Sequence, residues 1–476
     1  MDLPTTARRT KIVCTLGPAS SSRKTLDALI RAGMNVARIN CSHGNHETHE
    51  QTIATVRTAA RYYGVHIPVL LDLTGPKMRI GEFPGGSVTL RAGEEFRICA
   101  DPVQGDEHRV STNYPPLVHD VSPGDRILMG DGEIELRVVR RAGNEAECEV
   151  VIGGQLKSHK GINAPGVKLS ESVPTKKDIA DVEFGVEHGV DWFALSFVRT
   201  ADEVKRLRWL LDERDADTPI VVKVEKREAL DNIDAILDAS DALMVARGDL
   251  GLELPIQDVP LVQKDLIARA IAAARPVITA TQMLESMIVN PRPTRAEAAD
   301  VANAVMDGTD AVMLSAETAA GKYPVESVHT MAEIALASEN HMDYAARFHR
   351  ARLQTDKTIP RAIAHAACYT AIETGAKVII CCTRSGKTAL YVSNHRPPAK
   401  IAVVSPHTET LNRTMLYWNT HPIAIPLEKQ TDAMIREAKN AVLEANIANK
   451  GDHVVIVAGV PVDVPGTTNM VKADVL

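Results

Sequence analysis

The chain has 476 residues, 45% of them apolar and 24% charged, with a formal net charge of -7; at ~150 residues per domain it holds about three domains with sizeable cores. The acidic balance excludes nucleic acid as a main partner, since a phosphate backbone calls for a basic footprint. The longest apolar stretches, such as 454–460, fall far short of the ~20 residues of a membrane-spanning helix, so no membrane partner is expected.

At the N-terminus, Arg8, Arg9 and Lys11 precede only a strand-length apolar run, which is no secretory segment, and a cytoplasmic location is expected. Runs rich in Val, Ile, Leu and Ala then recur at 11–16, 34–40, 67–72, 191–196, 219–224, 241–246, 276–281 and 310–315. Being continuously apolar, they read as strands buried on both faces, and helical-period segments lie between most of them. Gly33, Gly189 and Gly308 precede strands where a left-handed helix cap belongs. Eight such units without a reversal of direction favour an α/β fold of the closed (β/α)8, or TIM-barrel, type.

The stretch 73–160 interrupts the series and is far longer than the usual ~4–6-residue loop. Its short alternating pieces, such as Ser87-Val-Thr-Leu, and turns such as Pro123-Gly predict an inserted small β-barrel domain. A further α/β series follows, with strands near 377–383, 401–406, 421–425 and 453–458 and helices at 359–374 and 431–447. The expected organisation is a barrel over 1–72 and 161–345, an insertion over 73–160, and a C-terminal α/β domain over 346–476. Seven scattered cysteines without a C-x-x-C pair read as small buried hydrophobes.

Barrel enzymes place their chemistry at the carboxyl ends of the strands. Here those ends read Arg38-Ile-Asn40-Cys-Ser42-His43, Asp72, Ser196-Phe-Val-Arg199, Lys223-Val-Glu225, Arg247-Gly-Asp249, Thr281-Gln282 and Ser315-Ala-Glu317. A single polar residue ending a strand is usually a helix cap or a surface ion pair, but seven coinciding ends make that explanation weak. Glu225 and Asp249, on adjacent strands, can offer carboxylate oxygens to one hard cation, Mg2+ or Mn2+, with positions left for water and a substrate phosphate. Lys223 shares the inward face with Glu225 by strand alternation. With Arg38 and Arg79 it can neutralise a transferring phosphoryl group, which predicts a phosphorylated acid as substrate.

Four strings carry a resemblance: Lys11-Ile-Val-Cys-Thr-Leu-Gly-Pro-Ala-Ser, Gly33-Met-Asn-Val-Ala-Arg-Ile-Asn-Cys-Ser-His-Gly, Met244-Val-Ala-Arg-Gly-Asp-Leu-Gly and Ala280-Thr-Gln-Met-Leu-Glu-Ser-Met. With Pro291-Arg-Pro-Thr-Arg-Ala-Glu they resemble pyruvate kinase over nearly the whole chain. The resemblance implies phosphoryl transfer from phosphoenolpyruvate to ADP, giving pyruvate and ATP. It implies that Arg38 and Lys223 contact the phosphoryl group, that Lys223 also stabilises the enolate, and that Glu225 and Asp249 hold the metal. The amides around Gly248 and Asp249, with Thr281, would hold the substrate carboxylate, and Thr281, Ser315 and Glu317 would lie on the proton route. Pro18, His43 and Arg79 would line the nucleotide side, with Asp131 of the closing insertion near a second metal. Relatives show two adjacent acids there, whereas this chain has Gly130 before Asp131.

Potassium-requiring relatives read Asp-Thr-Lys-Gly-Pro-Glu-Ile-Arg-Thr after the third strand, where this chain reads Asp72-Leu-Thr-Gly-Pro-Lys-Met-Arg-Ile80. The Lys77 ammonium then takes the place of K+ near Asn40, Ser42, Asp72 and Leu73, and a potassium-independent, lysine-bearing type is expected. The loop Thr383-Arg384-Ser385-Gly386-Lys387-Thr388 joins a strand to a helix and suits a phosphate; it resembles the family's effector loop, for a sugar phosphate or a nucleotide such as AMP. The resemblance also implies allosteric control and a homotetramer. The alternative is a Mg2+-dependent barrel lyase or aldolase acting on oxaloacetate- or pyruvate-like acids, which leaves the insertion and the third domain without a purpose.

Overall fold

The computed structural model describes residues 8–130, 132–351, 358–462 and 466–476. Eight parallel strands close into a barrel: β1 Lys11–Thr15, β2 Val36–Asn40, β3 Val69–Asp72, β4 Trp192–Leu195, β5 Ile220–Val224, β6 Ala242–Ala246, β7 Val277–Ala280 and β8 Ala311–Leu314. β1 pairs with both β2 and β8, which completes the ring. Every expected strand is present, shortened by a residue or two at its ends. Among all residues of these strands only Asn40 and Lys223 are partly exposed, and both lie near the carboxyl rim. Residues facing inward, including Val13, Leu70, Trp192, Val221, Met244 and Met313, fill the barrel interior; their strand neighbours face the surrounding helices.

Local chemistry sets the helix ends. Ser22 caps the helix Arg23–Ala32 by accepting from the Thr25 amide, and Gly33 ends it at φ 119°, a left-handed conformation costly for any residue with a Cβ. The helix Lys176–Glu187 opens on a reciprocal capping box between Thr175 and Asp178. It lies close to the barrel because Gly185 faces Phe193: a Cβ there would stand 2.6 Å from the ring. Since Phe193 is fully buried, Gly185→Ala is expected to cost ~1–3 kcal/mol of stability, read as a lowered urea midpoint.

Between β3 and β4 the chain forms a six-stranded sheet and a two-stranded ribbon, Ser87–Leu90 with Gly154–Lys157. Its strands alternate as the sequence does: in Ile134–Ala142, Ile134, Leu136 and Val138 are buried and the intervening residues are more exposed. Arg79 bridges to Gly161 beside one sheet edge and Ile80 to Thr112 beside the other, so the sheet curls into a small barrel-like unit. It has its own core, including Phe83, Phe96, Ile98 and Leu136.

The C-terminal sheet runs Thr420–Ala424, Lys400–Ser405, Val378–Cys382 and His453–Gly459 in parallel, with Thr468–Val475 antiparallel at the edge. The helices Ile359–Thr374 and Thr431–Glu444 pack on it. It docks on the amino ends of the barrel strands: Arg396 forms two bonds to Asp310, at 3.0 and 2.9 Å, and Asn412 donates to Asp191 at 2.9 Å. Among the described residues all seven cysteines are free and buried, and no helix is long and apolar enough to cross a membrane.

Candidate active site

At the rim, β2, β3 and β5 bring Arg38, Asp72 and Lys223 together. Lys223 points inward because Val221, two residues before it, belongs to the barrel interior while Val222 and Val224 face the helices. Its Nζ lies 2.7 Å from Glu225 Oε1, 2.7 Å from Ser196 Oγ and 3.3 Å from Asp72 Oδ1. Arg38 donates from Nε to Asp72 Oδ2 and from Nη1 to Thr15 Oγ1, each at 2.7 Å. Asp72, only 1% exposed, thus anchors two cations. Burial alone favours its neutral form, but Lys223 and Arg38 outweigh it and hold the carboxyl below the ordinary range. Burial likewise opposes the Lys223 charge, and Asp72 with Glu225 outweigh it, so the ammonium titrates above the usual lysine range.

Glu225 directly follows β5 and is nearly sealed from solvent, at 1% exposure. Burial pushes its carboxyl up; Asp249 adds to the push and Lys223 opposes it. Its Oε2 accepts from the Phe197 amide at 2.7 Å. Phe197 adopts φ 58°, and Thr281 and Gln282 adopt 69° and 53°, left-handed conformations that concentrate where side chains must be aimed at a site. Thr281 Oγ1 accepts from the Gly248 amide at 2.8 Å and donates to the Ala280 carbonyl at 2.6 Å. Arg247 turns away, donating to Asp300 at 2.7 Å and to the Thr281 carbonyl at 2.6 Å, so it braces the turn.

A cavity of about 170 Å³ gathers Arg38, Asn40, Ser42, Lys77, Lys223, Glu225, Asp249, Thr281 and Ser315. Thr74 also lines it, with a buried Oγ1 that has no hydrogen-bond partner. Asp72 and Leu73 stand behind this lining; the Leu73 carbonyl accepts from Ser196 Oγ at 2.7 Å. Glu317 is not in the lining: its carboxylate accepts from the amides of Ser315 at 2.7 Å and Leu284 at 3.2 Å, and burial pushes it up. His43 and Pro18 are exposed. Burial, Lys77, Arg79 and Arg38 together pull the His43 imidazole down. Arg79 donates to the His159 carbonyl at 3.0 Å, at the foot of the insertion. Asp131 lies outside the described residues. Thr15 and Thr74 join the site without having been singled out; Thr15 closes β1 with a polar residue, the same signal that marked the other strand ends.

A second cavity, of about 70 Å³, opens in the C-terminal domain and is lined by Thr383, Arg384, Ser385, Lys387, Thr388, Gly466 and Thr467. Gly386, at φ 81°, turns this loop into the helix Lys387–Asn394 and donates its amide to Thr383 Oγ1 at 3.0 Å. Thr410 Oγ1 donates to the Arg384 carbonyl at 2.6 Å.

An ammonium group and two carboxylates at the mouth of a closed parallel barrel define a (β/α)8 enzyme acting on an anionic substrate. The pyruvate kinase barrel-domain profile matches residues 7–328, and the pyruvate kinase alpha/beta-domain profile matches 361–473. Curated pyruvate kinases from Staphylococcus aureus strains MRSA252 and NCTC 8325 / PS 47 are each 44% identical over 467 residues, covering 98% of this chain and 80% of theirs. A crystal structure of a pyruvate kinase from Cryptosporidium parvum superposes with a TM-score of 0.92 at 34% identity, over 98% of this chain and 96% of that one. The chain belongs to the pyruvate kinase family. It transfers the phosphoryl group of phosphoenolpyruvate to ADP, giving pyruvate and ATP, and the lyase alternative falls away.

Proposed function

We propose that Lys223, Arg38 and a cation held by Glu225 and Asp249 carry the reaction, and that Lys77 removes the need for K+. The observation that carries this reading is the placement of Lys223 Nζ between Glu225, Ser196 and Asp72 on the wall of the cavity that Arg38 and Asp249 share. Family members generally use Mg2+ and K+. Glu225 and Asp249 suit Mg2+ or Mn2+: both line one cavity, and Asp249 is near enough to push the Glu225 carboxyl up. Two carboxylates leave the remaining positions of such a hard cation to water and substrate oxygens. Bound there, the cation supplies charge neutralisation at the phosphoryl and enolate oxygens.

Arg38 and Lys223 present fixed positive charge to the transferring phosphoryl group, and Lys223 then stabilises the enolate oxygen as the bond to phosphorus breaks. Because Asp72 holds both cations in place, little reorganisation is needed at the moment of transfer. The amides of Gly248 and Asp249, with the Thr281 hydroxyl, hold the substrate carboxylate; the Gly248 N–H exchanges its bond to Thr281 for one to substrate. Thr281 and Ser315 border the proton route to the enolate carbon, and Glu317 steadies Ser315 through its amide. Pro18, His43 and Arg79 face the nucleotide, over which the insertion closes with Asp131 as a lid.

Lys77 lines the cavity beside Asn40 and Ser42, and its charge is felt at His43. It supplies the monovalent charge that K+ supplies in other members. A lactate dehydrogenase-coupled assay with phosphoenolpyruvate and ADP in tetramethylammonium buffer tests this directly: full turnover without K+ is expected, and a strict K+ requirement would overturn it. The loop Thr383–Thr388 is read as the site of a phosphorylated effector in a cytoplasmic homotetramer. Arg384→Ala and Lys387→Ala should each abolish the leftward shift of the phosphoenolpyruvate saturation curve by a sugar phosphate or by AMP.

A further inference from the structure

The two carboxylates assigned to the divalent cation stand on different segments. Glu225 directly follows β5, while Asp249 lies in the helix Arg247–Glu253. Lys226, the residue after Glu225, forms an ion pair with Glu253, the last residue of that helix, and the two side chains are only 4% and 1% exposed. Neither lines the catalytic cavity. Taking two charges out of water costs several kcal/mol per ion, and an apolar pair in the same place is often as stable or more so. Stability is therefore a poor reason for this pair to exist.

Its geometry offers a better one. Along the end of β5, alternation sends Glu225 toward the cavity and Lys226 away from it. On the facing helix, Asp249 and Glu253 are four residues apart and so share a face. Two links thus lie side by side between the same segments: the gap between Glu225 and Asp249 that a cation fills, and, one helical turn away, a permanent rung from Lys226 to Glu253. Without a cation, Glu225 and Asp249 repel each other and drive the segments apart; the rung resists that. Glu253 Oε2 also accepts from the Gly166 amide at 3.3 Å, in the segment returning from the insertion, which fixes the helix end of the rung.

We infer that Lys226 and Glu253 are a positioning pair that sets the spacing of Glu225 and Asp249 for one divalent cation. This rests on the assignment of those two carboxylates to the cation. The test is Mn2+ binding to the purified full chain, measured by electron paramagnetic resonance without substrates, with thermal melts alongside. Glu253→Gln and Lys226→Met should each weaken Mn2+ binding ~10–100-fold, the usual cost of removing a group that orients metal ligands. Lys226→Arg, which keeps the charge, should stay close to wild type. The double variant K226M/E253M, with an apolar pair in place of the ions, should melt like wild type and still bind Mn2+ weakly. Asp249→Asn should remove detectable binding. If K226M/E253M binds Mn2+ as wild type does while Asp249→Asn does not, the pair only supports the fold and the inference fails, with the metal assignment intact. If Asp249→Asn itself binds as wild type does, the metal assignment fails first. Should a single variant fail to fold, the double variant decides.

Discussion

Lys223→Met is expected to lower kcat by at least ~10²–10³-fold, the scale of losing one preorganised charge at an oxyanion, with KM for phosphoenolpyruvate changed far less. In the proposed mechanism the ammonium acts where charge develops, so its loss should be felt in the transition state more than in binding. Steady-state assay with circular dichroism as a fold control checks this, and undiminished turnover would remove Lys223 from the mechanism. The same variant carries a pH signature. Asp72 has a depressed carboxyl, so its contribution to stability is present above the ordinary aspartate range and is lost as pH falls through the lowered value. With Lys223 gone, Asp72 keeps Arg38 and the Ser196 hydroxyl but loses one of its two cationic partners, the depression shrinks, and acid unfolding should begin at a higher pH than in wild type. Glu225, already pushed up by burial, loses the group that opposes the push and should take up a proton at a higher pH still.

On the role proposed for Lys77, Lys77→Glu should make turnover depend on added potassium. The substitution replaces a fixed positive charge with a negative one beside Asn40 and Ser42. With like charges drawn together near the phosphoryl site, turnover without K+ should fall by more than ~10-fold, a cost of over ~1.4 kcal/mol in the transition state. Added K+ should restore much of it, whereas the wild-type rate should be flat across the same titration. A Lys77→Glu variant that matches wild type with and without K+ would assign this lysine to ordinary solvation.

The barrel was legible because each strand is buried on both faces and so reads as an unbroken apolar run, while the polar residue ending it breaks the run at the rim. Arg38, Lys223, Glu225 and Asp249 were found that way, and the structure gathers them around one cavity. Which partner each side chain takes was not legible. Phe197, Thr281 and Gln282 bend through left-handed conformations, and nothing in hydrophobic periodicity marks a non-glycine residue for such a turn. Arg247 belongs to the same rim string as Asp249, yet it points to Asp300, because the helix that begins there carries successive residues to different sides. Glu317 ends the last rim string and spends both oxygens on backbone amides. Lys226 and Glu253 gave no signal at all, since their pairing depends on how a strand end meets a helix 27 residues later.

Only two strand positions of the barrel, Asn40 and Lys223, are partly exposed; the others are buried. Apart from Met244, Ala246 and Met313, which line the catalytic cavity, amino-acid changes at the remaining apolar strand positions therefore meet neither substrate nor solvent. Their effects should surface as less enzyme surviving in the cell, through lowered folding stability, with the kinetic constants of the surviving molecules left alone. Sequence drift in the barrel wall is then constrained by volume and shape, and drift at its lip by reactivity.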